Sequence, residues 1–415
     1  MARRFIVLVL LMLGSVDLLG RVGLTERLSG QGLLTIFYAM ASFGLMLGSG
    51  RISRTGLRVA WPFIALVIWA LTSMLWYTPS VSGIQNVLCL VSFIGLALLT
   101  SGLAEVSRIQ DTIESFFRYG VWIAAAVYAW CLWTDGFGSA ETIGSRSFGI
   151  AALFGVAWYA SKWRFGNHWA FVLTAALVVE IGASLSRVAL VAGLVIVTLA
   201  RMSATVRGWL WGFLSLGLAL ASFWWMFNNI DPLREHFLSG DVKLHMGGTG
   251  INVSGRASLW RVTYDSFLDS PWVGQGAGSA QHLVESRFRN VGHPHNDYLR
   301  VLHDYGVVGL SLWLLAWLRL LRRLWAQARL SERASRADAP LQFAAFLAAL
   351  GMALMMTTDN PMAYIFAMAP LGVMVGAATG SAVAFQHART WDCHRPISVA
   401  SVVPAGIKAM EAVES

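Results

Sequence analysis

Charge is scarce in this 415-residue chain. Only 13% of its residues are Asp, Glu, Lys or Arg, against 56% hydrophobic, and the mean hydropathy is +0.60. That balance excludes an ordinary soluble domain and points to a polytopic membrane protein. Cysteine is almost absent: Cys89, Cys131 and Cys393 lie too far apart for a metal cluster or a disulfide framework. The formal net charge of +9 comes from basic residues scattered in ones and twos between apolar runs, so it is topology and not a nucleic-acid tail. The Gly-rich run "HMGGTGINVSGR" has no Gly-Lys-Ser/Thr ending and follows no strand pattern, which removes a nucleotide-binding loop and leaves a flexible, mobile loop as the expectation. No internal repeat is visible, so the inverted-repeat signature of many transporters is missing.

Apolar runs near the length that crosses a bilayer, roughly 20 residues, are what the chain does have. Twelve are expected, near residues 5–19, 31–49, 57–76, 84–101, 117–134, 147–161, 168–185, 188–200, 208–227, 298–320, 341–358 and 362–384. The opening "MARRFIVLVLLMLGSVDLLG" is read as the first span and not as a cleaved leader. "GASLSRVALVAG" fits either a tight turn between two spans or a break within one. Most of the 31 Lys and Arg fall on one side of this arrangement, including Arg319, Arg322, Arg323, Arg329, Arg333 and Arg336 in a basic connector. The bias places both termini inside. The expected fold is therefore all-α, with about twelve transmembrane helices. Helices 1–9 occupy residues 1–227, a long outer loop with short amphipathic helices 228–297, helices 10–12 residues 298–385, and an inner tail 386–415.

Polar residues at apolar boundaries are the candidates for chemistry. Arg187 stands between two strongly apolar segments, where a guanidinium is costly unless it reaches a cavity or an anion; the alternative is snorkelling to headgroups. In "GRASLWRVTYDSFLDSPWVGQGAGSA", Leu259, Trp260, Val262, Thr263 and Phe267 recur at near-helical spacing. They predict an amphipathic surface helix with Arg256 at its start and Arg261 about a turn later. "NVGHPHNDYLRVLHDYGVVGL" brings His293 and His295 to the start of the tenth span, where Asn296 or Asp297 caps the helix and Arg300 is expected to pair with Asp304. Histidine is the commonest general base, and His295 is placed to face a substrate. Zinc on His293, His295 and His303 lacks support from cysteine or clustered carboxylate. No Asp-x-Asp pair occurs in the outer segment to hold Mg²⁺, so arginines are the expected anion binders.

"HPHNDYLRVLHDYGVVGL" resembles the His-x-His-Asn-x-x-Leu…Gly-x-x-Gly signature of the O-antigen ligase and polymerase superfamily. Arg187 in "SLSRVAL" is similar to its Ser-Arg in a middle span, and "GRASLWR…SPWVGQGAG" to its Arg-x-x-x-Trp…Pro…Gly-x-Gly block. The resemblance implies a glycosyltransferase in the bacterial inner membrane with its active site on the periplasmic side. Its donor would be an undecaprenyl pyrophosphate-linked glycan, its acceptor a sugar hydroxyl of lipid A-core, and neither cofactor nor metal would be needed.

Carried over by residue, His295 matches the catalytic histidine and Arg187 the intramembrane arginine. Arg256 and Arg261 both lie where the loop arginine is expected. His293, Asn296, Arg300 and His303 are possible supporting residues. Its partners would be membrane lipids and these two glycolipids, with no nucleic acid. A polymerase with a lipid-linked glycan acceptor is the nearest alternative, a protein-glycosylating ligase a third, and an anion transporter belongs to another class.

Overall fold

A computed structural model describes residues 23–25, 28–49, 52–78, 80–105, 109–138, 143–202, 206–229, 243–246, 249–252, 256–288 and 291–393. The expected span at 5–19 and the tail beyond 393 lie outside the described residues. After a short hairpin, β1 (Gly23–Thr25) with β2 (Leu28–Ser29), come α1 (Gly30–Ser49), α2 (Arg54–Thr72) and α3 (Val81–Ala104). Ser53 and Ser80 cap α2 and α3, each accepting a hydrogen bond from a backbone N–H three residues on. Next, α4 (Gln110–Phe116) runs through a π-turn into α5 (Trp122–Asp135), followed by α6 (Ser145–Arg164), α7 (Trp169–Ala183), α8 (Arg187–Arg201) and α9 (Val206–Asn229). The stretch before α12 contains a hairpin, β3 (Lys243–Met246) with β4 (Thr249–Asn252), then α10 (Arg256–Phe267) and α11 (Ser279–Arg287). The chain closes with α12 (Asp297–Arg333), α13 (Ala339–Met355) and α14 (Ile365–Cys393).

Among the described residues six helical stretches are long and apolar enough to cross a bilayer: 30–48, 54–75, 81–104, 111–135, 297–333 and 365–385. Two shorter apolar helices are α7 and α13. The segments expected at 147–161, 188–200 and 208–227 are helical but are not among the six. Helix is the structure expected of such segments, since in a bilayer each backbone polar group needs a partner within its own segment.

The core is built by small residues that let helices approach. α14 lies along α3, and its Gly372, Gly376 and Gly380 sit so close that a Cβ on each would come within 2.7, 2.3 and 2.1 Å of the carbonyl oxygens of Phe93, Ala97 and Ser101. Cys89 and Cys131 are free thiols and are buried.

Four local expectations are revised or decided between alternatives. The Gly-rich run expected as a flexible loop contains the β3–β4 hairpin, with Lys243 opposite Asn252. "GASLSRVALVAG" is a tight turn between α7 and α8, made by Leu185 at φ 56°. The basic connector is the continuation of α12, because Leu, Arg, Ala, Gln and Glu carry the helix on until the turn at Ser335, φ 48°. Arg300 does not pair with Asp304. It reaches Asp297 at 2.8 Å, with the two side chains 1% and 0% exposed, while Asp304 accepts from the backbone N–H groups of Gly278 (3.1 Å) and Ala280 (2.7 Å) and from the Ser279 hydroxyl (2.9 Å). Three donors from the start of α11 outcompete one arginine on the same helix.

α12 is broken at Gly306, which has φ 66° and ψ −170°. The segment between α10 and α11 docks into the break. Gln275 and Gly276 donate to the carbonyls of His303 and Asp304 at 2.9 and 2.8 Å, and Val307 donates back to Pro271 at 2.9 Å. A side chain on Gly306 would strike the Trp272 carbonyl at 2.3 Å. Positive φ and this close approach both require glycine there.

Candidate active site

Three helix N-termini meet at one cavity of about 310 Å³, within the range of small-ligand sites. Arg146 comes from the first turn of α6, Arg187 from the start of α8 and Arg256 from the start of α10; the wall also carries Ser186, Leu185 and Asp359. Neither α6 nor α8 has a side-chain hydrogen bond from its N-cap residue, and the positive dipole ends of both helices add to the guanidinium charge. Such a site favours an anion, and one with several oxygens.

α10 is oriented by Trp260, whose indole N–H donates to the Pro294 carbonyl at 2.9 Å. Arg256 lies one turn before Trp260 on the same face, so anchoring the indole beside the His295 loop turns Arg256 inward. Its Nε is buried without a hydrogen-bond partner among the described residues. Burial, then the charge of Arg146, pushes its pKa down to about 10. Arg261 points elsewhere: its side chain is 84% exposed and its nearest acid is Asp265, at 3.8 Å.

His295 sits at the edge of the cavity and touches two wall residues. Nδ1 is 3.6 Å from Asp359 Oδ1, and Arg146 Nη1 lies 3.4 Å from Nδ1 and 3.3 Å from Nε2. The Asp359 side chain is 3% exposed, the imidazole 17%. Burial pushes the Asp359 carboxyl up, but the hydrogen bond with His295 and the charge of Arg146 outweigh it and hold its pKa below the usual 3.8. His295 has φ 52° and Leu185, on the opposite wall, φ 56°. Non-glycine residues rarely adopt this left-handed conformation, and such strained residues cluster at functional sites.

The supporting candidates divide by role. His293 is half-buried against Tyr364, ring centroids 6.4 Å apart, with its Nδ1 buried and unpartnered among the described residues. Burial, then Arg300 and His295, pushes its pKa down to about 3, so it is neutral. Asn296 caps α12 by accepting from Leu299 N–H at 3.0 Å. Arg300 belongs to a buried ion pair, because Asp297 is also held by Asn360 (3.0 Å) and the Met362 N–H (2.8 Å). His303 bonds Ser266 of α10 and Ser279 of α11, each at 3.1 Å, and clamps α10 and α11 to α12. Among the described residues no three His, Cys, Asp or Glu side chains are grouped to hold a metal.

Sequence reasoning missed Arg146 and Asp359. Arg146 in "GSRSFG" opens an apolar helix behind a serine, the same signal that marks Arg187. Asp359 in "TTDNPM" lies between two apolar segments, where no local pattern marks it.

No curated protein gives a significant match to the chain. A family model described as O-antigen ligase matches residues 169–314, the stretch that carries Arg187, Arg256 and His295. Over that stretch, about a third of the chain, the protein is similar to the O-antigen ligase family, and its described residues include six helices long and apolar enough to span a bilayer.

Proposed function

We propose that the chain is an O-antigen ligase, transferring a glycan from undecaprenyl pyrophosphate to a sugar hydroxyl of lipid A-core at the periplasmic face of the inner membrane. The observation that carries this reading is the convergence of Arg146, Arg187 and Arg256 on one cavity edged by the His295–Asp359 pair.

The acceptor hydroxyl attacks the anomeric carbon and its proton passes to His295. Asp359 then faces the imidazolium so formed and stabilises it. The bond from the anomeric carbon to the phosphate oxygen breaks, both electrons leave with the pyrophosphate, and Arg187 and Arg256 stabilise the departing charge with Arg146 beside them. A single displacement of this kind inverts the anomeric configuration. Arg256, buried and turned inward, suits the phosphate role better than exposed Arg261. The proposed topology keeps residues 228–297 outside and both termini in the cytoplasm.

The test is transfer by purified protein in nanodiscs with EDTA, given undecaprenyl pyrophosphate-linked glycan with or without lipid A-core. The expected product is glycosylated lipid A-core, reduced roughly 10²–10⁴-fold in His295→Ala protein shown to be folded. Chain growth without lipid A-core would make the protein a polymerase. Near-normal transfer by His295→Ala would remove the general base.

A further inference from the structure

A second group of arginines lies far from this cavity. Arg319 and Arg323 stand one turn apart on α12, and Arg58 reaches them from the N-terminal part of α2, which packs against that stretch through Phe63 with Trp313 and Trp317. Arg319 lies over the Trp61 ring at 5.3 Å. Arg58 and Arg319 are close enough for their charges to act on Arg323. Among the described residues no carboxylate forms a salt bridge with any of the three. Further along α12 the pattern differs, since Arg329 has Glu332 at 3.1 Å.

Two polar atoms here are also buried without partners among the described residues: Arg323 Nε, a donor, and Gln327 Oε1, an acceptor one turn on. Buried polar groups of this kind are normally satisfied, so the pair asks for a ligand with both an anionic oxygen and a hydrogen to donate. Its depth says which compartment supplies that ligand. Asp297 lies at the cavity end of α12, and the 22–26 residues from there to Arg319 and Arg323, bent at Gly306, span at most roughly 33–39 Å at 1.5 Å per residue, on the scale of one bilayer. The cluster therefore sits at headgroup level in the opposite leaflet, with the Trp61 ring at the interface.

We propose that Arg58, Arg319, Arg323 and Gln327 bind the headgroup of an anionic phospholipid of the phosphatidylglycerol type, its phosphodiester on the arginines and its glycerol hydroxyl donating to Gln327. A zwitterionic headgroup brings an ammonium against three guanidinium groups and is disfavoured. Each arginine near an anionic headgroup adds about fivefold to affinity.

The experiment is native mass spectrometry of the full chain in detergent, titrated with phosphatidylglycerol, phosphatidylethanolamine or inorganic phosphate. Phosphatidylglycerol is expected to be retained, with binding about 30-fold weaker in the Arg319→Gln/Arg323→Gln variant. Arg58→Gln, an exposed position that does not threaten folding, is expected to weaken it about fivefold. Equal retention of phosphatidylethanolamine, unchanged binding in both variants, or displacement by phosphate at comparable concentration would each overturn the proposal.

Discussion

Gly149 of α6 and Ala189 of α8 meet so closely that a Cβ built on Gly149 would lie 2.8 Å from the Ala189 methyl and 3.1 Å from the Ser186 hydroxyl. The contact sits one turn inside both helices and sets the spacing of their N-termini, hence of Arg146 and Arg187. Gly149→Val forces that contact apart, at about 1–3 kcal/mol of overpacking. Transfer is expected to fall by more than this loss of stability accounts for, because displacement of about 1 Å at a reacting site costs on the order of 100-fold. Thermal unfolding and transfer rate, measured on one preparation, separate the two. Full activity in folded Gly149→Val protein would show that the guanidinium spacing is not critical.

Arg256 and Arg261 stand five residues apart and are expected to behave differently. Arg256→Ala removes a buried group from the cavity wall, and transfer should drop roughly 10²–10³-fold. Arg261→Ala removes an 84% exposed side chain and should leave both transfer and melting temperature near their starting values. Equal losses from the two would argue that α10 turns when substrate binds.

His293 gives the protein an acid-sensitive element. It is neutral when folded, with its pKa pushed from 6.5 to about 3 by burial, then by Arg300 and His295. Between those values the unfolded chain holds a proton that the folded one does not, so stability is full above pH 6.5 and is lost as pH falls toward 3. The slope from this group is at most about 1.4 kcal/mol per pH unit. The melting temperature should therefore decline from pH 7 to pH 5, and less steeply in His293→Gln. Parallel curves for the two proteins would show that His293 is not responsible.

Gly306→Ala places a side chain where φ is 66° and the Trp272 carbonyl is 2.3 Å from the new Cβ. The predicted outcome is a loss of more than about 3 kcal/mol, or no folded protein. Hydrogen exchange localises it, since protection at Gln275 and Gly276 depends on the carbonyls next to the break. Undiminished protection there would mean that the docked loop tolerates the change.

Helices were legible wherever apolar length alone decides the matter, as in α3 and α14. Arg187 was legible because charge is expensive at an apolar boundary, whereas Arg256 was marked only as the start of an amphipathic helix, on equal terms with Arg261. What spacing could not supply was competition between partners. The i, i+4 rule joined Arg300 to Asp304, yet Asp304 is held by Gly278, Ser279 and Ala280, and Arg300 turns to Asp297. Nor could local pattern show that Asp359, near the end of α13, stands beside His295. That pairing exists only once α12 and α13 have packed.

The break in α12 also governs how this protein can be re-engineered. A helix interrupted at Gly306 exposes amide and carbonyl groups that lipid cannot satisfy, and they are satisfied by a segment lying earlier in the chain. Loop and helix are thus halves of one hydrogen-bonded unit. A chimera that imports this segment from another protein would meet a socket cut for another key. The smallest portable module runs from Arg256 to Leu310, and a graft that divides it would lose the fold before it could alter specificity.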